Sequence, residues 1–177
     1  MAVPAAEKVI KLVALLKDEP GTTLVFVRTK RGADRLVKRL RAHKVHAVAM
    51  HGDLTQAARE RALERLSKGQ VQVLVATDVA ARGLDVYQIN HVINFDPPND
   101  DRGYVHRVGR TARAGRPGMG TTLVSPDQQA DISRMAARLK LGDEFERAGM
   151  SITPPRRVFT SHRGSRSMMR PRPKRRF

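Results

Sequence analysis

The sequence predicts an α/β fold in three layers, a mostly parallel central sheet with helices on both faces, followed by a basic tail. Three observations carry this. Short apolar runs rich in β-branched residues alternate with amphipathic stretches of helical period, the pattern of a parallel sheet built from βα units. The runs are continuously apolar rather than alternating, as strands buried on both faces must be. The charge is also segregated: of the formal net +17, nine positive charges lie in residues 156–177, which contain no acid and are spaced by Gly, Ser and Pro.

Taken in order, Val9, Leu12, Val13 and Leu16 recur at i, i+3, i+4 and i+7 and predict a lead-in helix within residues 1–20, stopped by Pro20-Gly21. Residues 22–27 (TTLVFV) form the first expected strand. Ala33, Leu36, Val37 and Leu40 repeat the helical spacing. Residues 45–50 (VHAVAM) give a strand and 56–67 a helix; 71–76 (VQVLVA) and 89–95 (INHVINF) are strands separated by the loop 77–85. A helix around 102–110, a strand over 121–124 and a helix carrying Ile132, Met135, Ala136 and Leu139 complete a domain expected over 21–145. Residues 146–177 are assigned to a tail with little to bury, read as disordered and polyanion-seeking, with a solubilising terminus as the alternative.

At 177 residues the chain suffices for one domain with a sizeable core. With 4% aromatics and no Trp, that core must be mostly aliphatic. The absence of cysteine excludes a disulfide framework, a thiolate metal site and a Cys nucleophile, and is compatible with the reducing, cytoplasmic setting expected here. Charged residues interrupt the first twenty, and no stretch of about 18 apolar residues occurs, so a soluble protein is expected. Thirty-four Lys and Arg against 17 Asp and Glu point to a polyanionic partner, nucleic acid or an anionic membrane.

Ligands of open α/β sheets bind beyond the carboxyl ends of the strands. Three such segments stand out, Arg28-Thr29-Lys30 after the first strand, 77–85 after the third and the stretch ending at 106–113 after the fourth, and all would crowd onto one rim. His106, Arg107, Arg110 and Arg113 fall within eight residues, and Arg110 and Arg113, three apart, would face one way on a helical turn. Guanidinium forks suit phosphoryl oxygens, although a solvated basic helix face would look similar; the flanking Gly109 and Gly115 favour the phosphate reading. In the stretch 77–85, Thr77 and nearby backbone N–H groups could hold a phosphate and Asp85 a ribose hydroxyl. The alternatives are a helix N-cap for Asp78 and a salt bridge for Asp85. His51-Gly52-Asp53 makes a tight turn before a helix whose first turn carries Gln56 and Arg59, either a phosphate grip or a capping and surface pair. The six histidines lack metal-ligand spacing, so no metal site is expected.

A nucleotide hydrolase of this architecture needs a Gly-rich loop ending in Gly-Lys-Ser/Thr and a strand-end carboxylate for Mg²⁺. The sequence has no Gly-Lys dipeptide, and its Asp-Glu pairs, Asp18-Glu19 and Asp143-Glu144, lie near helix ends. These residues could supply arginines to a nucleotide without holding it alone.

The ordered segments VFVRTK (25–30), His51-Gly52-Asp53 with Gln56 and Arg59, ATDVAARGLD (76–85) and HRVGRTARAG (106–115) resemble the second RecA-like domain of DEAD-box RNA helicases, over roughly residues 5–145. The resemblance implies an ATP-dependent RNA helicase whose other RecA-like domain carries the phosphate loop and the Mg²⁺-binding carboxylates, so that this half alone is inactive. It implies that Arg110 and Arg113 reach the ATP phosphates, Arg113 as arginine finger, that Asp85 meets the ribose and that Gly83 allows close packing beside the nucleotide. It places His106 and Arg107 at the interface with the partner domain and neighbouring loops. Thr29, Gln56, Arg59 and Thr77 fall where the family contacts the backbone of single-stranded RNA, contacts that position without reading sequence. Ala112 departs from the family, where many members have Gly. The tail resembles the variable basic extensions that add RNA affinity with strong salt dependence. Two other functions remain open at this point: a standalone RNA-binding or annealing module, and the second domain of another superfamily 2 helicase acting on DNA.

Overall fold

The computed structural model describes residues 1–82, 89–112 and 117–151. Gly83, Asp85, Arg113 and the tail 152–177 lie outside the described residues. Five strands, β1 (Thr23–Phe26), β2 (Ala47–Met50), β3 (Val73–Ala76), β4 (His91–Asn94) and β5 (Met119–Thr122), form one sheet in the order β2-β3-β1-β4-β5. Every neighbouring pair is parallel. The helices are α1 (Lys8–Asp18), α2 (Lys30–Ala42), α3 (Gln56–Ser67), α4 (Asp78–Ala81), α5 (Asp101–Val108), α6 (Gln129–Arg138) and α7 (Gly142–Arg147).

Alternation along the strands divides the core. Val25, Val27, Val73, Val75 and Ile93 face α1 and α2, packing with Val9, Leu12, Leu36 and Leu40. Leu24, Phe26, Val48, Met50, Leu74 and Val92 face the other way, onto Ala62 and Leu66 of α3 and Ala80 and Ala81 of α4. Each fully buried Leu or Val contributes about 1.5–3 kcal/mol, so two mostly aliphatic layers, with Phe26 in one of them, hold the sheet.

Two expectations shift. The last strand starts at Met119 rather than Thr121, because its ladder with β4 begins at His91↔Met119. This edge strand is half-exposed, so it carries no apolar run to mark it. Helix α7, which the sequence did not suggest, packs Phe145 with Met150 and Val124. The Ser133 hydroxyl donates to the Ser151 carbonyl at 3.1 Å.

Register positions the site. Met50, Ala76, Phe26 and Asn94 are mutual register partners across β2, β3, β1 and β4. Those four strands therefore end along one line, and the segments leaving them form a single rim.

Candidate functional site

Arg107 organises that rim. Its side chain, 4% exposed, projects inward from α5, and its Nε and Nη2 donate to the two Asp78 carboxylate oxygens at 2.6 and 2.7 Å. Nη1 donates to Asn94 Oδ1 at 3.1 Å and to the Asp96 carbonyl at 2.7 Å. The guanidinium carbon sits 4.9 Å from the centre of the Phe26 ring. Asn94 is fully buried and donates from Nδ2 to Thr122 Oγ1 at 3.0 Å. One cation thus ties α5 to α4 and the ends of β1 and β4. The hydrogen bonds described for Arg107 all go to groups of this domain, in α4 and at the end of β4. Asp78 is not an N-cap. Thr77 occupies that position, and the Asp78 carboxylate is committed to Arg107.

Around this pair lies a cleft lined by Phe26, Asp78, Arg82, Arg102, His106 and Arg110, among others. His106 and Arg82 are exposed and Arg110 half-exposed. Arg82, Arg102 and Arg110 have no ion-pair partner among the described residues. Concave, cationic and walled by the ring of Phe26, the cleft suits a phosphate-bearing ligand.

The helix expected around 102–110 stops short of Arg110, while Arg113 lies outside the described residues. Helix α5 ends at Val108, with Gly109 as C-cap. The next amides make short i→i−3 bonds, Arg110 N–H to the Arg107 carbonyl and Thr111 N–H to that of Val108, each at 3.1 Å. Ala112 then adopts a left-handed φ of 55°. Arg110 therefore reaches the cleft from a turn.

Thr29, Thr77, Gln56 and Arg59 stand at the starts of α2, α4 and α3, after three adjacent strands. The structure brings them to one rim. Thr29 is the N-cap of α2 and its hydroxyl accepts from Gly32 N–H at 3.0 Å. Thr77 is buried. Gln56 Nε2 donates to Glu60 at 2.8 Å, and Arg59 Nη2 reaches the Ala80 carbonyl at 3.5 Å, tying α3 to α4. The cap of α3 is Thr55, not Gln56. The N-termini of α2 and α3, with Lys30 paired to Asp53 between them, aim partial positive charge at the rim. His51 is buried with Nε2 3.1 Å from Asp34, joining the end of β2 to α2.

Sequence reasoning missed Asp78 as the partner of Arg107, Asn94 behind it, and Arg82 and Arg102 in the cleft. A buried polar residue ending an apolar strand, as Asn94 does, was the available signal for the first two.

Residues 5–115 match the model of the helicase conserved C-terminal domain. The chain is 50% identical over 111 residues to the DEAD-box ATP-dependent RNA helicase CshA of Bacillus subtilis, covering 63% of this chain and 22% of the relative. It is 40% identical over 165 residues to DEAD-box ATP-dependent RNA helicase 30 of Arabidopsis thaliana, covering 92% and 27%. The crystal structure of the Escherichia coli DEAD-box protein SrmB bound to the regulator of ribonuclease activity A superposes with a TM-score of 0.69 at 36% identity, over 88% of this chain and 86% of that one. The chain spans roughly a quarter of the length of the curated relatives it matches. Sheet order, rim and sequence match agree: the chain belongs to the helicase conserved C-terminal domain family, as the RecA-like C-terminal domain of the DEAD-box RNA helicases.

Proposed function

We propose that this chain is the C-terminal half of an ATP-dependent RNA helicase, acting with an N-terminal RecA-like domain that holds the phosphate loop and Mg²⁺. The observation that carries the reading is the cationic cleft on the strand-end rim, adjacent to the row Thr29, Thr77, Gln56 and Arg59. Its donor set fits the phosphates of ATP: Arg110 reaches the mouth unpaired, while Arg107 is consumed in holding the walls. The two domains close on bound ATP and RNA, and ATP supplies the phosphoryl group that is transferred to water in the closed cleft.

In this reading Arg110 binds phosphate oxygens, and Arg113 places its charge beside them as the arginine finger. Gly83 and Asp85 pack against the nucleotide and its ribose. His106, exposed at the cleft, faces the partner domain. Thr29, Gln56, Arg59 and Thr77 hold the RNA backbone, with the tail 156–177 as an auxiliary contact. The setting is cytoplasmic.

The test replaces the corresponding segment of Bacillus subtilis CshA with this chain. The chimera should hydrolyse ATP with RNA stimulation and the chain alone should not. Arg113→Ala in the chimera should lower turnover by about 10³-fold while leaving RNA binding by the isolated chain nearly unchanged. A folded chimera without RNA-stimulated turnover overturns the catalytic reading, and turnover unchanged by Arg113→Ala removes that residue from the finger role.

A further inference from the structure

Helix α2 breaks the electrostatic rules of a helix. Its first turn contains Lys30 and Arg31 and no acid, where the helix dipole favours negative charge. Arg31, Arg35 and Arg39 repeat at i, i+4 and i+8, a stripe of like charges that repel along one face. The one carboxylate in the helix, Asp34, is turned to His51. Such a conflict between local sequence and local structure is expected where a function requires it.

Arg35 and Arg39 converge with Arg28 on an open cleft of about 450 Å³, floored by Val27, Leu36 and the half-buried Phe95. All three arginines are exposed, and among the described residues none has an ion-pair partner. The carboxylate in the cleft, Asp96, accepts from the Arg28 backbone N–H at 2.8 Å. The other polar wall, Gln128, is occupied by Lys8 and Ser125. The guanidiniums are the groups left to bind something, and what suits three of them around an open cleft is phosphate. Thr29 lines the same cleft, so the cleft continues from the rim proposed above to hold RNA.

We propose that the cleft of Arg28, Arg35 and Arg39 binds phosphates of single-stranded RNA, extending the track past Thr29 across α2. This rests on the RNA reading of the rim. A free polyphosphate shares the chemistry, and the test separates the two.

Binding of oligouridylates of about six and about twelve nucleotides to the full chain is measured against salt, for the parent protein, Arg35→Ala/Arg39→Ala, and the control Lys38→Ala/Arg41→Ala. The control removes equal charge from α2 outside the cleft. The cleft variant should bind the longer RNA about tenfold more weakly at low salt, with the salt slope reduced by about 1.4 for two lost contacts. The shorter RNA should be unaffected, and the control variant should match the parent. Equal losses for both lengths, or equal losses in the control, would overturn the site as diffuse electrostatics. If tripolyphosphate competes in a manner sensitive to the cleft variant while the longer RNA is unaffected, the site takes free anions and the RNA track fails. Absence of RNA binding at either length by the parent chain would instead overturn the RNA reading of the rim.

Discussion

Arg107 and Asp78 form a two-toothed ion pair, 2.6 and 2.7 Å long, roofed on one side by the Phe26 ring. The pair fixes α4 against α5. Removing the arginine leaves Asp78, Asn94 Oδ1 and the Asp96 carbonyl without their donor. The cost of breaking a fully buried pair is about 3–5 kcal/mol. Asp78 is 46% exposed, so water recovers part of this. Arg107→Met should therefore destabilise by about 2–3 kcal/mol, and Asp78→Asn by less, since the amide oxygen can still accept. Urea unfolding of both variants and the double variant checks this: the midpoints should fall with unchanged slope, and the two effects should be strongly non-additive. Additive losses would mean that the pair does not act as a unit.

Ala112 has a φ of 55° and an exposed position directly after the turn that presents Arg110. A methyl group in this conformation costs about 1–2 kcal/mol, while glycine brings back some chain entropy to be lost on folding. Ala112→Gly should stabilise the chain by about 0.5–1 kcal/mol, roughly 2–4 °C in melting temperature at the upper end for a chain of this size. A calorimetric scan showing no change or a loss would place the strain elsewhere.

The layers were legible because their signals are local. Four consecutive apolar residues at 24–27, and helical spacing through Leu36 and Leu40, require burial whatever the partner. The rim candidates Thr29, Gln56, Arg59 and Thr77 were legible for the same reason, since each follows a recognisable strand and parallel pairing brings the strand ends together. Arg107 and Asp78 were not legible as a pair. They are 29 residues apart and meet only because α4 and α5 leave β3 and β4 on the same face. An arginine's sequence neighbours do not say whether it faces solvent or the ends of the sheet. Here Arg107 turns inward while Arg110, three residues on, does not. The cleft on α2 depends on β4 and the 126–128 turn approaching its flank, which helical spacing alone does not give.

Among the described residues, the Arg59 side chain makes one long hydrogen bond, 3.5 Å to the Ala80 carbonyl. Arg59→Ala should leave thermal stability within about 0.5 kcal/mol. It should also reduce RNA affinity and lower the salt slope by about 0.7, read by fluorescence anisotropy across a salt series. An unchanged slope would remove Arg59 from the RNA track.

His91 begins β4 and is 2% exposed, with Nε2 2.9 Å from Thr121 Oγ1 and Nδ1 buried without a described partner. Burial holds its pKa below the ordinary 6.5, with Glu19 opposing only in part. The folded state therefore favours the neutral ring, and the unfolded chain binds the proton more readily. Stability from this group is full above the unfolded pKa and declines as pH falls below about 6.5, until the folded pKa is passed. The midpoint of urea unfolding should drop between pH 7 and pH 5.5, and His91→Gln, which keeps a hydrogen-bonding side chain but cannot titrate, should flatten that part of the profile. Carboxylates such as Asp101, which Arg138 holds below the usual range, lose their stabilising contribution only at lower pH, as protonation approaches the carboxylate pKa. The two effects separate on the pH axis. A decline between pH 7 and 5.5 that persists unchanged in His91→Gln would assign it to another group.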